Sequence, residues 1–172
     1  STTDPNLCLI PYEQDIGLSM IDAMTCDLES SGRWYLDNHL NYKQRVSEAA
    51  YKLEQLQPDV LFCNIPFVSI EAAALVGIPS VAMCSLNWAD IFHGYFVEHE
   101  TQFDRTVMTE AYEQMLNAYS KADIFLRPTP SMDMASLRNT QEIGPIVSEG
   151  TWRDLRDIVF TATGCRFHKF VL

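Results

Sequence analysis

The clearest alternation of apolar and polar character lies between residues 58 and 88. DVLFCN is a continuous apolar run without a period of two, as expected of a central parallel strand covered by helices on both faces. IEAAALVG follows, a small-residue helix closed by its glycine, with Ser69 as a candidate cap. The next strand is predicted over 78–84, with Pro79 near its start, where a missing amide donor is tolerated. A crossover this short joins parallel neighbours and is expected to be right-handed. Upstream, Leu40, Tyr42, Val46, Ala49, Ala50, Leu53 and Leu56 recur near a helical spacing, which predicts one amphipathic helix over 36–56 that stops before Pro58.

Weaker patterns fill in the rest. A buried strand is predicted over 7–10, ended by Pro11, and a short helix over 19–26. Met108, Ala111, Tyr112, Met115 and Tyr119 form the stripe of a helix over 107–119, and a third strand follows over 122–126. The run from Pro128 to Met134 reads as irregular, with its two methionines filling core gaps. Further elements are expected as a strand entering a linker over 143–147, a short helix over 152–160 and a strand over 167–172. Together these give an α/β class with a Rossmann-like parallel sheet and helices on both faces.

Charge narrows the partners. With 23 acidic against 12 basic side chains and a formal charge of -11, the average surface repels nucleic acid and anionic lipid, although Lys121, Arg127, Arg138, Arg153 and Arg156 bias the second half towards positive. No apolar run reaches the length of a membrane span. The five cysteines, Cys8, Cys26, Cys63, Cys84 and Cys165, are odd in number and widely spaced, which fits a reducing, cytoplasmic setting better than a disulfide framework. Cys63 and Cys84 fall inside predicted strands as small buried hydrophobes. The chain begins without Met and stops inside the apolar HKFVL, so a fragment is expected.

Candidate chemistry gathers after the second strand, because open α/β sheets bind ligands beyond the carboxyl ends of their strands. There Ser85 and Asn87 offer directional hydrogen bonds, and Trp88, Phe92 and either Tyr95 or Phe96 share a helix face. These aromatics read either as core or as the wall of a pocket for an apolar or sugar-like molecule. Asn64 ends the first strand and reaches the same crevice, or caps loop amides instead. His93, with Asp90 and His99 nearby, is the candidate catalytic base, against a ligand-contacting or purely structural role. His39 and His168 have less in their favour. Asp15, Asp22 and Asp27 make an acidic early segment that reads as solvated surface, against acid-base chemistry or magnesium binding. No phosphate loop, complete dinucleotide glycine fingerprint or zinc spacing is present in the sequence.

On these motifs the chain resembles a known family. PDVLFCNIPFVSIEAAALVGIPSVAMCSLNW is similar to the amino-terminal half of two-Rossmann-domain (GT-B type) glycosyltransferases, especially predicted UDP-sugar transferases and the amino-terminal region of plant arabinose kinases. DIGLSMIDAMTCD resembles the family's D-x-G-x-x-x-x-D segment, YSKADIFLR its next strand, IGPIV its entry to the linker and KFVL the first strand of its second domain. SLNW departs from the family's SNF(S/T)W by one position in layout. The resemblance implies an acceptor-side domain over 1–147, lacking its first strand, and over 148–172 a linker and the start of a truncated carboxy-terminal domain. It implies sugar transfer from a nucleotide-sugar donor to a small-molecule acceptor, with Asn64, Asn87 and Trp88 at acceptor-side positions. The donor would be held by the carboxy-terminal domain, so this fragment would need no cofactor of its own and would be inactive alone. A non-catalytic binding or regulatory domain of the same fold is the competing expectation, followed by a periplasmic-type sugar sensor. Metal dependence, acceptor identity and oligomeric state are not readable from these residues.

Overall fold

The computed structural model describes residues 7–12, 14–148, 150 and 155–166. Its regular elements are α1 (Leu28–Leu40), α2 (Tyr42–Leu56), β1 (Leu61–Cys63), α3 (Phe67–Val76), β2 (Ser80–Met83), α4 (Trp88–Phe96), α5 (Arg105–Tyr119), β3 (Ile124–Pro128), β4 (Thr140–Ile143) and α6 (Leu155–Thr163). The four strands form one all-parallel sheet in chain order, β1-β2-β3-β4. This is a Rossmann-like α/β arrangement. α3 packs on β2, α5 packs on α3, and α4 packs on α5.

The strand, helix, strand unit forms where its pattern placed it. Leu61 is in register with Ser80, Phe62 with Val81 and Cys63 with Ala82. Gly77 closes α3 at φ +72, a left-handed conformation that costs glycine little. The alanines allow α3 to be buried between the sheet and α2, with Ile70, Ala72 and Ala73 wholly inaccessible. Cys63, Ser80, Ala82 and Phe125 point into this core. The opposite register positions, Phe62, Val81, Met83, Ile124 and Leu126, remain more open.

Several expectations are corrected. β1 lies at the edge of the four described strands rather than at their centre, and Phe62 is 59% exposed. Residues 7–10 form no strand, because no described neighbour pairs with them, and Leu7, Leu9 and Ile10 face solvent. The predicted helix over 19–26 is a tight loop: Met20 bridges Cys26, and the Asp22 carboxylate accepts from the amides of Met24 and Thr25, each at 2.8 Å. This local bonding competes with helix formation.

The long amphipathic segment divides at Asn41, whose side-chain amide donates to the Asp37 carbonyl at 2.9 Å and to its carboxylate at 3.0 Å. α3 starts at Phe67 after Pro66, so Ser69 is not its cap; the Ser69 hydroxyl instead donates to the Gln14 side chain. β4 precedes the predicted 143–147 strand, since Gly144 and Pro145 interrupt that segment and leave it without regular structure. The expected strand over 167–172 lies outside the described residues, as do 152–154 of the predicted last helix.

Cys63 is 7% exposed, and burial pushes its thiol up to about 11, only partly offset by the Ile65 amide. Cys8 and Cys165 are exposed and free. At neutral pH a thiol-specific reagent is expected to label Cys8 and Cys165 in the native protein, and Cys63 only on unfolding. Rapid native-state labelling of Cys63, read by peptide mass spectrometry, would contradict the packing of β1.

Candidate functional site

The carboxyl ends of β1 and β2 are held together from below by one side chain. Tyr119, at the end of α5, is fully buried; its hydroxyl donates to the Ile65 carbonyl at 3.1 Å and accepts from the Trp88 amide. The loop after β1 is thereby tied to the start of α4. Ile65 sits at φ +52, a left-handed conformation that costs a β-branched residue about 1–3 kcal/mol and is retained here by burial and by this bond. Asn64, immediately before it, is exposed at the rim.

The β2–α4 loop has its own internal logic. Asn87 is fully buried and caps α4: its side-chain oxygen accepts from the Asp90 amide, and its side-chain amide donates to the Asp90 carboxylate, both at 2.7 Å. The other Asp90 oxygen accepts from the Ser136 hydroxyl at 2.7 Å. Asn87 is therefore committed to the fold rather than free for a ligand. Ser85 is half-buried, and its carbonyl accepts from the Met132 amide at 2.8 Å. Phe92 is wholly buried against Tyr35 and Phe96, with ring centroids 4.9 and 4.8 Å away. Trp88, on the same helix, is only partly buried.

His93 does not meet Asp90. Its Nδ1 lies 3.3 Å from the exposed Glu98 carboxylate, and its ring packs 4.6 Å from that of Tyr112. Asp90 is occupied by Asn87 and Ser136, so the His93–Asp90 pairing needed for an oriented base is not formed. His39 links α1 to α5 through Gln114 at 3.0 Å.

The structure also brings together two segments that are far apart in sequence. Gly17 adopts φ +62, and the Trp88 indole lies so close that an added Cβ would approach its ring to 2.6 Å. The Gly17 carbonyl accepts from the Tyr35 hydroxyl at 2.9 Å. Asp15 is half-buried, whereas Asp22 is exposed and ties a turn, and Asp27 caps α1. Burial raises the Asp15 pKa above the ordinary carboxylate range, and the Gly17 amide partly offsets this. The folded state holds the Asp15 proton to higher pH than the unfolded chain does. This group therefore lowers stability as pH rises from the ordinary aspartate range through its raised value.

Asn64, Ser85 and Trp88 thus lie at one end of the sheet, with Gly17 packed on Trp88, while Asn87 and Phe92 support them from within. Clefts also occur elsewhere. One of about 340 Å³ is lined by Tyr12, Gln14, Asp37, Asn41 and Arg45, and a more apolar one of about 240 Å³ runs between α2 and Leu61. Among the described residues, no group of three or more His, Cys, Asp or Glu side chains is placed to hold a metal, and no helix is long and apolar enough to cross a membrane. Comparison with family models, curated proteins and solved structures found no match.

Replacing Tyr119 by Phe removes one hydroxyl and leaves the Ile65 carbonyl and the Trp88 amide without that partner. The expected loss is about 1–3 kcal/mol in urea unfolding, together with a shift in tryptophan emission as Trp88 loses its anchor. Unchanged stability and emission would remove Tyr119 as the tie between the two loops.

Proposed function

We propose that the chain is the acceptor-side domain of a glycosyltransferase that moves a sugar from a nucleotide-sugar donor to a small hydroxylated acceptor. The observation that carries this reading is the packing of Trp88 on Gly17. It unites the DIGL and SLNW segments, the two motifs of the family resemblance, at the carboxyl end of a parallel sheet. Ligands of open α/β sheets bind at that end. Asn64 and Trp88 would contact the acceptor, Ser85 would shape the rim, and Asn87 and Phe92 would hold the loop in place. A nucleotide diphosphate leaving group needs stabilisation by helix amides, a cation or a metal, and a second, carboxy-terminal domain would supply it.

A non-catalytic binding domain is the second reading, favoured by one feature. His93 pairs with the exposed Glu98 rather than with Asp90, so the site lacks the oriented His–Asp base expected of it.

On the leading reading, the 172-residue chain alone binds no UDP-glucose or UDP-galactose, and sugar transfer appears only when the donor-binding domain is present. Trp88→Ala in the transferring protein is expected to weaken acceptor binding, read as a raised KM, by more than Asn64→Ala does. Saturable calorimetric binding of either UDP-sugar to the isolated chain would overturn the division of labour. Absence of transfer by the protein carrying both domains, across a panel of nucleotide sugars, would favour the binding domain.

A further inference from the structure

The more apolar cleft, between α2 and Leu61, contains none of the residues assigned above to an acceptor. Ala49, Lys52, Leu53 and Leu56 line it at helical spacing along one side of α2, a stripe about 10 Å long. Leu61 at the start of β1 and Ile10 complete its apolar lining, and its volume is about 240 Å³. That is below the range of about 300–1,000 Å³ usual for drug-sized ligands, so the space fits a small molecule. A lining drawn out along a helix suits an extended hydrocarbon chain more than a compact ring.

The polar groups of this cleft are hydrogen-bond donors without an anion. Lys52 Nζ lies 3.2 Å from the centroid of the Tyr12 ring, and both residues line the space. Among the described residues no carboxylate pairs with Lys52, although the chain carries 23 acidic against 12 basic side chains. An ammonium has three donors, so contact with one aromatic face leaves it able to bind an anion. Ser69, which is buried, donates its hydroxyl proton to Gln14 Oε1, and among the described residues Gln14 Nε2 has no acceptor. A neutral apolar molecule would leave both donors unanswered, and an alkylammonium would meet the like charge of Lys52.

We propose that this groove binds a small straight-chain carboxylate, with its hydrocarbon chain along Ala49, Leu53, Leu56 and Leu61 and its carboxylate accepting from Lys52 Nζ and Gln14 Nε2. The site does not rest on the acceptor-side reading.

The test is a titration of the 172-residue chain with butyrate, hexanoate and octanoate, with 1-octanol and octylammonium as controls, followed by amide and methyl NMR. Saturable shifts at Lys52, Leu53, Leu56 and Leu61 are expected with octanoate, and affinity should rise about fourfold for each methylene added within the groove. Lys52→Gln, at an exposed position, should weaken octanoate binding about two- to fivefold and leave 1-octanol binding unchanged, whereas Lys52→Arg should keep the preference for the carboxylate. The ratio of octanoate to 1-octanol affinity, measured within each variant, separates the contribution of the charge from any loss of folding. Leu56→Ser should shrink the gain from hexanoate to octanoate. No saturable binding of octanoate, octylammonium binding as tightly as octanoate, or the same octanoate to 1-octanol ratio in Lys52→Gln as in the wild type would each overturn the assignment. Concentration-dependent shifts of the same groove signals in the ligand-free chain would give the groove to a second copy and overturn it as well.

Discussion

The hydroxyl of Tyr119 is the interaction on which this architecture turns. It lies where α5 ends, and it fastens the loop after β1 to the first amide of α4. The Tyr119 ring meets Phe67 of α3 and Phe125 of β3 at centroid distances of 6.1 and 6.0 Å, and its carbonyl accepts from Asn139 just before β4. A single residue thus touches the surroundings of every strand. Its phenol is held far above the usual tyrosine pKa by burial, so the group stays neutral and remains a donor to Ile65. Ile65 in turn adopts a backbone conformation it would not choose in isolation.

This dependence explains why the rim is positioned rather than loose. Asn64 precedes the strained residue, Trp88 supplies the anchored amide, and Gly17 provides the only kind of surface on which the indole can lie so closely. Glycine is required there twice over, for its positive φ and for its missing side chain. Asp15, two residues before Gly17, is half-buried, and burial raises its carboxyl pKa.

What could be read from the sequence was local. The unit from Pro58 to Trp88 has its strand, helix and glycine stop within thirty-one consecutive residues, and the structure reproduces it with small shifts at the ends. Asn87 carried a readable signal as well, since Asn-Trp-Ala-Asp has the spacing of a helix cap with an acidic third residue. That signal marks it as structural. Asp15 could not be distinguished from Asp22 and Asp27 in the same way, because its partial burial arises only in the tertiary fold, where neighbouring Gly17 meets Tyr35 and Trp88 from distant parts of the chain. The division at Asn41 was hidden by apolar spacing that continues through it, although the competing bond is from a side chain to a carbonyl four residues back. The apolar run over 7–10 illustrates the opposite error: hydrophobicity alone names a strand only where a neighbour is available to pair with it.

The exposed edge of β1 has a colloidal consequence. Phe62 on β1 and Val60 just before it, 59% and 49% exposed, lie along an edge whose outer backbone groups have no described strand beside them, yet every copy of the chain carries a net charge of -11. At low ionic strength that charge keeps copies apart beyond the short reach of apolar contact. Added salt shortens the reach of the repulsion to about 10 Å or less without weakening the attraction. Ionic strength thus sets how far the net charge shields this edge from other copies of the chain.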